Sequence, residues 1–295
     1  MTIQNIEEFK QSGWQKNALK IITHDGTFHS DEIFSIGLLM AFEKAEGQSI
    51  QIVRTRDEEF LKEHQANSDV FIIDIGGNYD LDYRNFDHHQ DDKSFEDKAS
   101  VRLVYDYLLI ANKMDAGLAK HLWDNLLKLI NQWDLGKEQK FVNYYHRPLP
   151  SLISSYNRTT EDEREENIQF EKALRFGVEI IENEIFSYNQ YQDAKRSFLQ
   201  HRNINSHTVI FDTFNPKHSS FLKQYRNIRY YIYPYKNNWA VASVDSKKYP
   251  LPDCDSNRYQ NCEHLVFSHK NHFLTVFDTK EAAIRFMEPK FNGKI

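Results

Sequence analysis

Short apolar runs alternate with longer amphipathic segments in the N-terminal part of the chain. The runs "ALKIIT" (18–23), "SIQIVRT" (49–55) and "DVFIIDIGG" (69–77) have the length and composition of buried strands. Between them, segments 30–45 and 57–65 have the polar starts and apolar spacing of helices. Strands that alternate with helices predict an α/β fold, in which a parallel sheet carries helices on both faces.

The pattern changes in the rest of the chain. Helical spacing continues over 99–112 and 115–132, and the charged stretch "TTEDEREEN" opens a long helical pattern that ends near residue 201. Short strands predominate after residue 205, and segment 279–288 predicts a last helix. These features indicate a second, smaller domain of the α+β class.

The chain of 295 residues is long enough for two domains. Its proline-containing stretch "HRPLPS" (146–151) is the candidate linker. We therefore expect an N-terminal α/β domain over 18–150, a connecting helical segment over 151–204 and an α+β domain over 205–295.

Charge and cysteine content exclude some classes of protein. With 37 Lys and Arg against 43 Asp and Glu, the net charge of −6 argues against a broadly basic nucleic-acid-binding face. A nucleotide substrate stays compatible, because bound metal ions supply positive charge locally. The two cysteines form no CxxC pair, so a thiolate zinc site is not expected. We find neither a signal-peptide pattern nor a membrane-spanning run, and we expect a cytoplasmic protein with no membrane partner.

Histidine and aspartate concentrate where the predicted strands end. The stretch "THDGTFHSDE" (23–32) holds His24, His29 and Asp31 directly after the first strand, and Asp74 ends the third. In open parallel sheets, ligands bind beyond the carboxyl ends of the strands. These side chains are therefore candidates for one shared site.

Two further stretches carry the same residue types. Asp87, His88 and His89 are consecutive in "YRNFDHHQ", and Asp134 ends a helical segment in "NQWDLG". Mixed imidazole and carboxylate ligands suit Mn²⁺, Zn²⁺, Fe²⁺ or Co²⁺ better than Ca²⁺. Three histidines and three aspartates could hold two metal ions that share one bridging carboxylate. Each residue alone is explained as well by a turn or a helix cap, but their joint placement favours a metal site. The remaining histidines without such neighbours are expected to be ordinary surface or core residues: His64, His121, His146, His201, His207 and His218.

The motifs resemble those of a known family. "THDGTFHSDE" is similar to the opening motif of the melanocyte-proliferating-gene family, which is related to the DHH phosphoesterases. The family's later motifs follow in order along nearly the whole chain, as "IVRTRD" (52–57), "DIGGNYD" (74–80), "FDHHQ" (86–90), "LISSYNR" (152–158) and "TKEAAIRF" (279–286).

The resemblance implies a role for each site residue. Residues 18–150 would form a DHH-like catalytic domain and 205–295 a substrate-binding domain. Asp74 would bridge two divalent ions, expected to be Mn²⁺, with Mg²⁺, Co²⁺ or Zn²⁺ as alternatives. His89 would face the substrate phosphate, and Asp87 would orient it. The implied metal ligands are His24, His29, Asp31, Asp74, His88 and Asp134.

The family is similar to metal-dependent phosphodiesterases and is linked to 3′-to-5′ RNA exonuclease activity. The implied substrate is a nucleotide or a short single-stranded RNA. The alternatives are a small-molecule phosphatase or pyrophosphatase-like hydrolase and a non-catalytic metal-binding protein, and a homo-oligomer stays open. The chain departs from the family in having Ser30 in place of a cysteine and no glycine over 271–277, where relatives have a glycine-rich turn. A glycine-free turn predicts weaker use of long RNA than of dinucleotide-sized substrates.

Overall fold

The computed structural model describes residues 1–90, 93–137, 147–160, 162–200, 207–254 and 261–288. It consists of two compact units, Met1–Ile185 and Phe186–Ile295. The boundary between them falls inside one long helix, which we label α8 below. The domain limits proposed from the sequence, at residues 150 and 204, stay predictions.

The first unit contains a six-stranded sheet. The strand order is β1-β3-β2-β4-β6-β5, in which β5 alone pairs antiparallel. The predicted run 18–23 forms a strand over the same residues, because a strand buried on both faces is continuously apolar and easy to read. The strands are β1 (Thr2–Asn5), β2 (Ala18–Thr23), β3 (Ser49–Arg54), β4 (Val70–Ile73), β5 (Tyr79–Asp80) and β6 (Asn85–Phe86).

Helices surround this sheet and extend beyond it. The segments predicted as helices over 30–45, 57–65 and 99–112 are helical with slightly shorter bounds. A short 3₁₀ turn lies at Lys93–Phe95, and a π-helical turn at Trp123–Leu127 joins two α-helices. The helices are α1 (Ile6–Ser12), α2 (Ser30–Phe42), α3 (Glu58–His64), α4 (Ser100–Ile110), α5 (Ala116–Leu122), α6 (Lys128–Asp134), α7 (Leu149–Ser154) and α8 (Glu163–Gln200).

Both faces of the sheet are covered. On one face, Ile22 and Val53 pack with Phe9 of α1 and Phe60 of α3 in one buried cluster. On the other, the ring of Phe71 lies 5.9 Å from that of Tyr107 in α4. The predicted α/β class, a mostly parallel sheet with helices on both faces, is confirmed.

Two glycines let α2 and α8 approach closely. A Cβ atom added at Gly37 would lie 2.8 Å from Ile181 Cδ1, and one at Gly177 would lie 2.9 Å from Ile33 Cγ2. Since separations under 3 Å are not tolerated by packed side chains, these contacts require glycine. All residues of α2 from Ser30 to Leu39 are buried.

The second unit is smaller and mostly antiparallel. Its sheet has the order β10-β11-β9-β8-β7, with only β7 and β8 parallel among the described strands. A last helix packs on this sheet through Phe286, whose ring is 5.0 Å from that of Phe277. This agrees with the α+β prediction. The elements are β7 (Thr208–Ile210), α9 (His218–Leu222), β8 (Tyr230–Tyr235), β9 (Asn238–Ser243), β10 (Leu265–Ser268), β11 (Leu274–Phe277) and α10 (Lys280–Met287).

The turn expected over 271–277 is wrong in its position. Leu274–Phe277 form strand β11, which lies between β9 and β10 and is hydrogen-bonded on both sides. The chain reverses just before it, where His272 adopts a left-handed φ of 53°. The run "LTVF" has the β-branched and aromatic composition of a strand. This composition explains why a strand forms here, where relatives have a glycine-rich turn.

Three smaller expectations concern the rest of the chain. The candidate linker begins at His146, outside the described residues, and continues through Pro148, which caps the N-terminus of α7. Cys254 and Cys262 are joined in a disulfide. Among the described residues, no helix combines the length and the apolar character that crossing a bilayer requires.

Candidate metal centre

Three neighbouring parallel strands deliver polar residues to one edge of the first sheet. Thr23 of β2, Ile73 of β4 and Phe86 of β6 are paired in register and end their strands together. The chain leaves β2 toward β3 on one side and returns to β4 on the other, so this edge is a topological switch point where a crevice opens. The residues that follow the three strands are His24, Asp74 and Asp87.

Asp74 lies at the middle of this edge. Its backbone has a left-handed φ of 58°, a conformation that aspartate tolerates better than most residues. One carboxylate oxygen, Oδ1, is 3.2 Å from His88 Nε2, and the other, Oδ2, is 3.5 Å from His24 Nε2. Burial raises the pKa of Asp74, but hydrogen bonds from His24, His88 and Ser100 outweigh this and hold the pKa below its ordinary value.

Asp31 is fully buried in the first turn of α2. Neither of its carboxylate oxygens has a hydrogen-bond partner in the described part of the chain. Burial, and after it the charges of Asp74 and Asp134, raise the pKa of this carboxyl. A buried carboxylate without partners is costly, and a bound cation would satisfy both oxygens. Asp31 therefore fits a metal ligand.

His88 connects Asp74 to the C-terminal end of α6. Its Nε2 atom lies 3.3 Å from Asp134 Oδ2 and 4.0 Å from Asp31 Oδ2. His29, which precedes α2, approaches from outside with Nδ1 3.9 Å from Asp134 Oδ1. Asp134 thus faces two imidazoles, although it lies more than 40 residues along the chain from both His29 and His88.

Asn131 fixes the position of α6. Its Oδ1 accepts a hydrogen bond of 2.9 Å from the backbone of Ala99, and its Nδ2 donates one of 3.0 Å to the carbonyl of Asp97. The side chain is buried, and it ties α6 to the start of α4 three residues before Asp134. Ser100 also lies at the start of α4. The buried side-chain amide of Asn131 therefore positions both Asp134 and Ser100 beside the candidate metal site.

The predicted ligands converge. Three overlapping groups each offer ligand atoms within 4.8 Å of one another, and every residue predicted from the sequence as a ligand belongs to at least one group. Asp74 is shared by two groups, and His29 by two. The groups are His24, His29 and Asp74; Asp74, His88 and His89; and His29, Asp31 and Asp134.

Asp87 and His89 form a separate pair at the rim. The carboxylate of Asp87 is buried, accepts 2.6 Å hydrogen bonds from Gly77 N–H and His89 Nδ1, and holds the ring in place. The hydrogen bond to Asp87 is the main cause that raises the pKa of His89. The imidazole itself is 62% exposed. The roles expected from the sequence, in which Asp87 orients the histidines and His89 faces a substrate phosphate, stay predictions.

Glu32 was missed as a site residue. It is fully buried, and its carboxylate contacts His24 Nε2. Burial lowers the pKa of His24, but the charge of Glu32 and bonds to Asp74 and Glu32 raise it to about 10. The signal in the sequence was the position of Glu32 next to Asp31, which places both in the first turn of α2.

Arg54 was also missed. This fully buried arginine at the end of β3 donates hydrogen bonds of 3.2 Å to the His24 carbonyl and 2.7 Å to the Gly26 carbonyl. Its guanidinium lies 4.4 Å from the centre of the Phe170 ring. A charged residue at the end of an otherwise uncharged strand was the available signal. Arg54 holds the loop that carries His24.

Six histidines were expected to be ordinary, and the four of them that the structure describes have ordinary contacts. His64 is a core residue that accepts a hydrogen bond from Trp14, and His218 is buried and stacks on Phe211 at 3.6 Å. His121 pairs with Glu184, and His207 contacts the carbonyl of Asn227. The remaining two, His146 and His201, lie outside the described residues.

Comparisons with known proteins agree with the motifs. The MYG1 protein of Chlamydia trachomatis is 23% identical over 284 residues, which cover 88% of this chain and 92% of that protein. The MYG1 exonuclease of Homo sapiens is 42% identical over 81 residues, which cover 28% of this chain and 19% of that protein.

A solved structure and a family model complete the comparison. RecJ in complex with Mn²⁺ from Thermus thermophilus aligns at 13% identity over 90% of this chain and 51% of that one, and its TM-score of 0.25 is below the range that indicates a shared fold. The model of MYG1_exonuc, described as an uncharacterised protein family (UPF0160), matches residues 20–290. Because this match covers most of the sequence, including every candidate ligand, the chain belongs to the uncharacterised protein family UPF0160.

Proposed function

We propose that this protein is a cytoplasmic, metal-dependent phosphodiesterase that removes nucleotides from the 3′ ends of short single-stranded RNA through a two-metal site. The observation that carries the proposal is the position of Asp74. Its two carboxylate oxygens face different histidines, His88 at 3.2 Å and His24 at 3.5 Å, as a carboxylate shared by two ions would.

The donor set fits divalent first-row metals. His24, His29 and Asp31 would serve one side of Asp74, and His88 and Asp134 the other. Four buried or nearly buried carboxylates, those of Asp31, Glu32, Asp74 and Asp134, gather in this small volume. Cations would offset that surplus of negative charge. Mixed nitrogen and oxygen donors favour Mn²⁺, with Mg²⁺, Co²⁺ and Zn²⁺ as alternatives.

When bound, two such ions activate a water and neutralise charge on the phosphate. The chain's own residues supply the rest. Asp87 binds the Nδ1 atom of His89, and this hydrogen bond is the main cause that raises the pKa of the imidazole. The protonated ring would present an Nε2–H group that donates a hydrogen bond to a phosphate oxygen. Ser100 and Glu32 hold Asp74 and His24 in position.

The exonuclease part of the proposal has separate support. The human relative is named an exonuclease, and the sequence resembles a family linked to 3′-to-5′ RNA exonucleases. The second unit lacks glycine over 271–277, both at the reversal around His272 and in strand β11, so a small-molecule phosphatase stays the alternative.

The proposal is tested with RNA dodecamers labelled at either end, incubated with the purified protein and Mn²⁺. We expect stepwise shortening from the 3′ end, no reaction with chelator, and two metal ions per chain by elemental analysis. Hydrolysis of p-nitrophenyl phosphate without cleavage of RNA would favour the phosphatase. A bound metal without turnover of either substrate would favour the non-catalytic alternative.

A further inference from the structure

Two separate basic stretches of the sequence meet in one cleft of the second unit. The cleft has a volume of about 580 Å³, and its floor is formed by the buried residues Ile228 and Val244. We infer that it holds a segment of single-stranded nucleic acid, an inference that rests on the proposed function and names how that enzyme holds its substrate. The polar lining consists of Lys223, Tyr225, Arg226, Asp245, Lys248 and Tyr249.

The cations of the cleft are available. Among the described residues, neither Lys223 nor Arg226 forms an ion pair, and both are exposed. The one carboxylate of the described lining, Asp245, accepts hydrogen bonds from the backbone N–H groups of Lys247 and Lys248, while the ammonium of Lys248 lies 4.0 Å away. The cleft is therefore positively charged in a chain whose net charge is −6. Local positive charge of this kind attracts phosphate groups.

The two tyrosines add a platform for bases. Tyr225 is held by tilted ring contacts with Phe198 at 4.6 Å and Phe221 at 5.5 Å. Tyr249 lies under the guanidinium of Arg229, 5.1 Å from its ring centre, and its carbonyl accepts a 2.6 Å hydrogen bond from Ser243. Both rings are fixed before any ligand binds, which lowers the entropy cost of stacking a base.

A second basic cavity, in the first unit, is less suited to a strand. It has a volume of about 330 Å³, and its cations are Lys98, Arg102, Lys128 and Lys137. Asp106 neutralises two of them, with its oxygens 2.8 Å from Arg102 Nε and 3.9 Å from Lys98 Nζ. Its one aromatic ring in the described lining is that of Trp123, 4.4 Å from the guanidinium of Arg102. The larger cleft has two aromatic rings beside its cations.

The tyrosine rings that lie among the cations of the cleft favour nucleic acid over an acidic polypeptide as the ligand. A polypeptide rich in glutamate would satisfy Lys223, Arg226 and Lys248 but would leave the tyrosine faces unused. A single strand offers phosphates and bases together, and a cleft of this volume accommodates one or two nucleotides. The combination of fixed rings and unpaired cations therefore points to a single strand.

The test is the binding of a fluorescein-labelled RNA dodecamer to the full chain, followed by fluorescence anisotropy in chelator so that no hydrolysis occurs. We expect R226A/K248A to bind at least about ten-fold more weakly at low salt, and the slope of log K against log salt to fall by about 0.7 for each lost phosphate contact. An unchanged affinity and slope would overturn the inference.

Two controls separate charge, rings and fold. Lys236→Gln removes one cation from the turn at the other end of the β8–β9 hairpin, roughly 17 Å away along six-residue strands, and should leave binding unchanged. A dodecamer with abasic sites should bind several-fold more weakly than the intact strand. Equal binding of the abasic strand, or equal competition by a glutamate dodecapeptide, would also overturn the inference.

The outcomes distinguish this inference from the proposed function. Cleavage of RNA by the wild-type protein, together with unchanged strand binding in the cleft variant, would refute the cleft and leave the enzyme activity standing. Strand binding that depends on the cleft without any metal-dependent cleavage would refute the activity and leave the cleft standing.

Discussion

The buried hydroxyl of Ser100 donates a hydrogen bond of 2.8 Å to Asp74 Oδ1, the same oxygen that lies 3.2 Å from His88 Nε2. A side chain with no expected role therefore fixes the orientation of the carboxylate at the middle of the candidate metal centre. Loss of a group that hydrogen-bonds a metal ligand lowers metal affinity by about 10- to 100-fold.

Replacing Ser100 with alanine should weaken Mn²⁺ binding by about ten-fold, because Asp74 loses the group that orients it. Titration calorimetry of the metal measures this change. Ser154→Ala is the matched control, since that hydroxyl donates to the carbonyl of Pro150 in α7 and contacts no ligand. Equal metal affinity in both variants would remove Ser100 from the site.

Asp74→Ala should abolish hydrolysis, with a loss of more than about 100-fold, while the chain still folds. The rate is measured beside thermal unfolding with and without Mn²⁺. The wild-type melting temperature should rise with metal, because binding to the folded state alone stabilises it, and the variant should lose most of that rise. Asp82→Ala, in an exposed loop, should behave as wild type. Near-normal turnover in Asp74→Ala would contradict its bridging role.

The pH dependence of stability in chelator should reflect His24. Folding raises the pKa of this imidazole from its ordinary 6.5 to about 10, since Glu32 and Asp74 outweigh the effect of burial. The folded state thus keeps a proton that the unfolded chain releases. The resulting stabilisation is complete below pH 6.5 and is lost as the pH rises through 10. Urea unfolding between about pH 6 and 10 measures it, and His24→Gln should flatten the decline. A wild-type curve that stays level over this interval would contradict the assignment.

Arg54→Lys should destabilise the protein by roughly 2–3 kcal/mol, because lysine cannot reproduce the two hydrogen bonds to the His24–Gly26 loop while it stays buried. Chemical unfolding in chelator measures the change without a contribution from metal. Arg56→Lys is the control, because Arg56 is two residues away, 61% exposed and paired with Asp25. If the two variants were equally stable, the loop would not depend on Arg54.

Substrate length gives a further prediction. The lack of glycine over 271–277 predicts weak use of long RNA, but residues 274–277 of that segment form an inner strand, and the cleft inferred to bind a strand lies elsewhere in the second unit. We now expect kcat/KM for a dodecamer to exceed that for a dinucleotide at equal salt. In R226A/K248A the ratio of the two should fall. A dinucleotide preferred by the wild type would restore the earlier expectation.

The sequence predicted those strands and helices in which most consecutive residues are buried. Strand β2 was read to the residue because both of its faces are covered. Strand β1, "TIQN", has one apolar residue among four, and β5 and β6 have two residues each, so no periodicity could reveal them. Their pairing is decided by tertiary contacts.

The candidate ligands were readable for a related reason. They follow strand ends, and the parallel register brings strand ends together. Glu32 and Arg54 left only weak signals, because their importance comes from complete burial, which the sequence does not display. Asp134 was a candidate from its residue type alone, and its position next to the other candidates depends on Asn131, which contacts the start of a helix about 30 residues earlier.

The close approach of α2 and α8 at Gly37 and Gly177 limits how far the side chains of the candidate metal centre can be displaced. α2 is a rigid rod whose first turn carries Asp31, about 9 Å along the axis from Gly37 at 1.5 Å per residue. A methyl group at either glycine would push the two rods apart by tenths of an ångström, and coordination bonds accept deviations of only about 0.2 Å. A substitution at Gly177, which touches no candidate ligand, is therefore expected to shift Asp31 relative to Asp74 and Asp134.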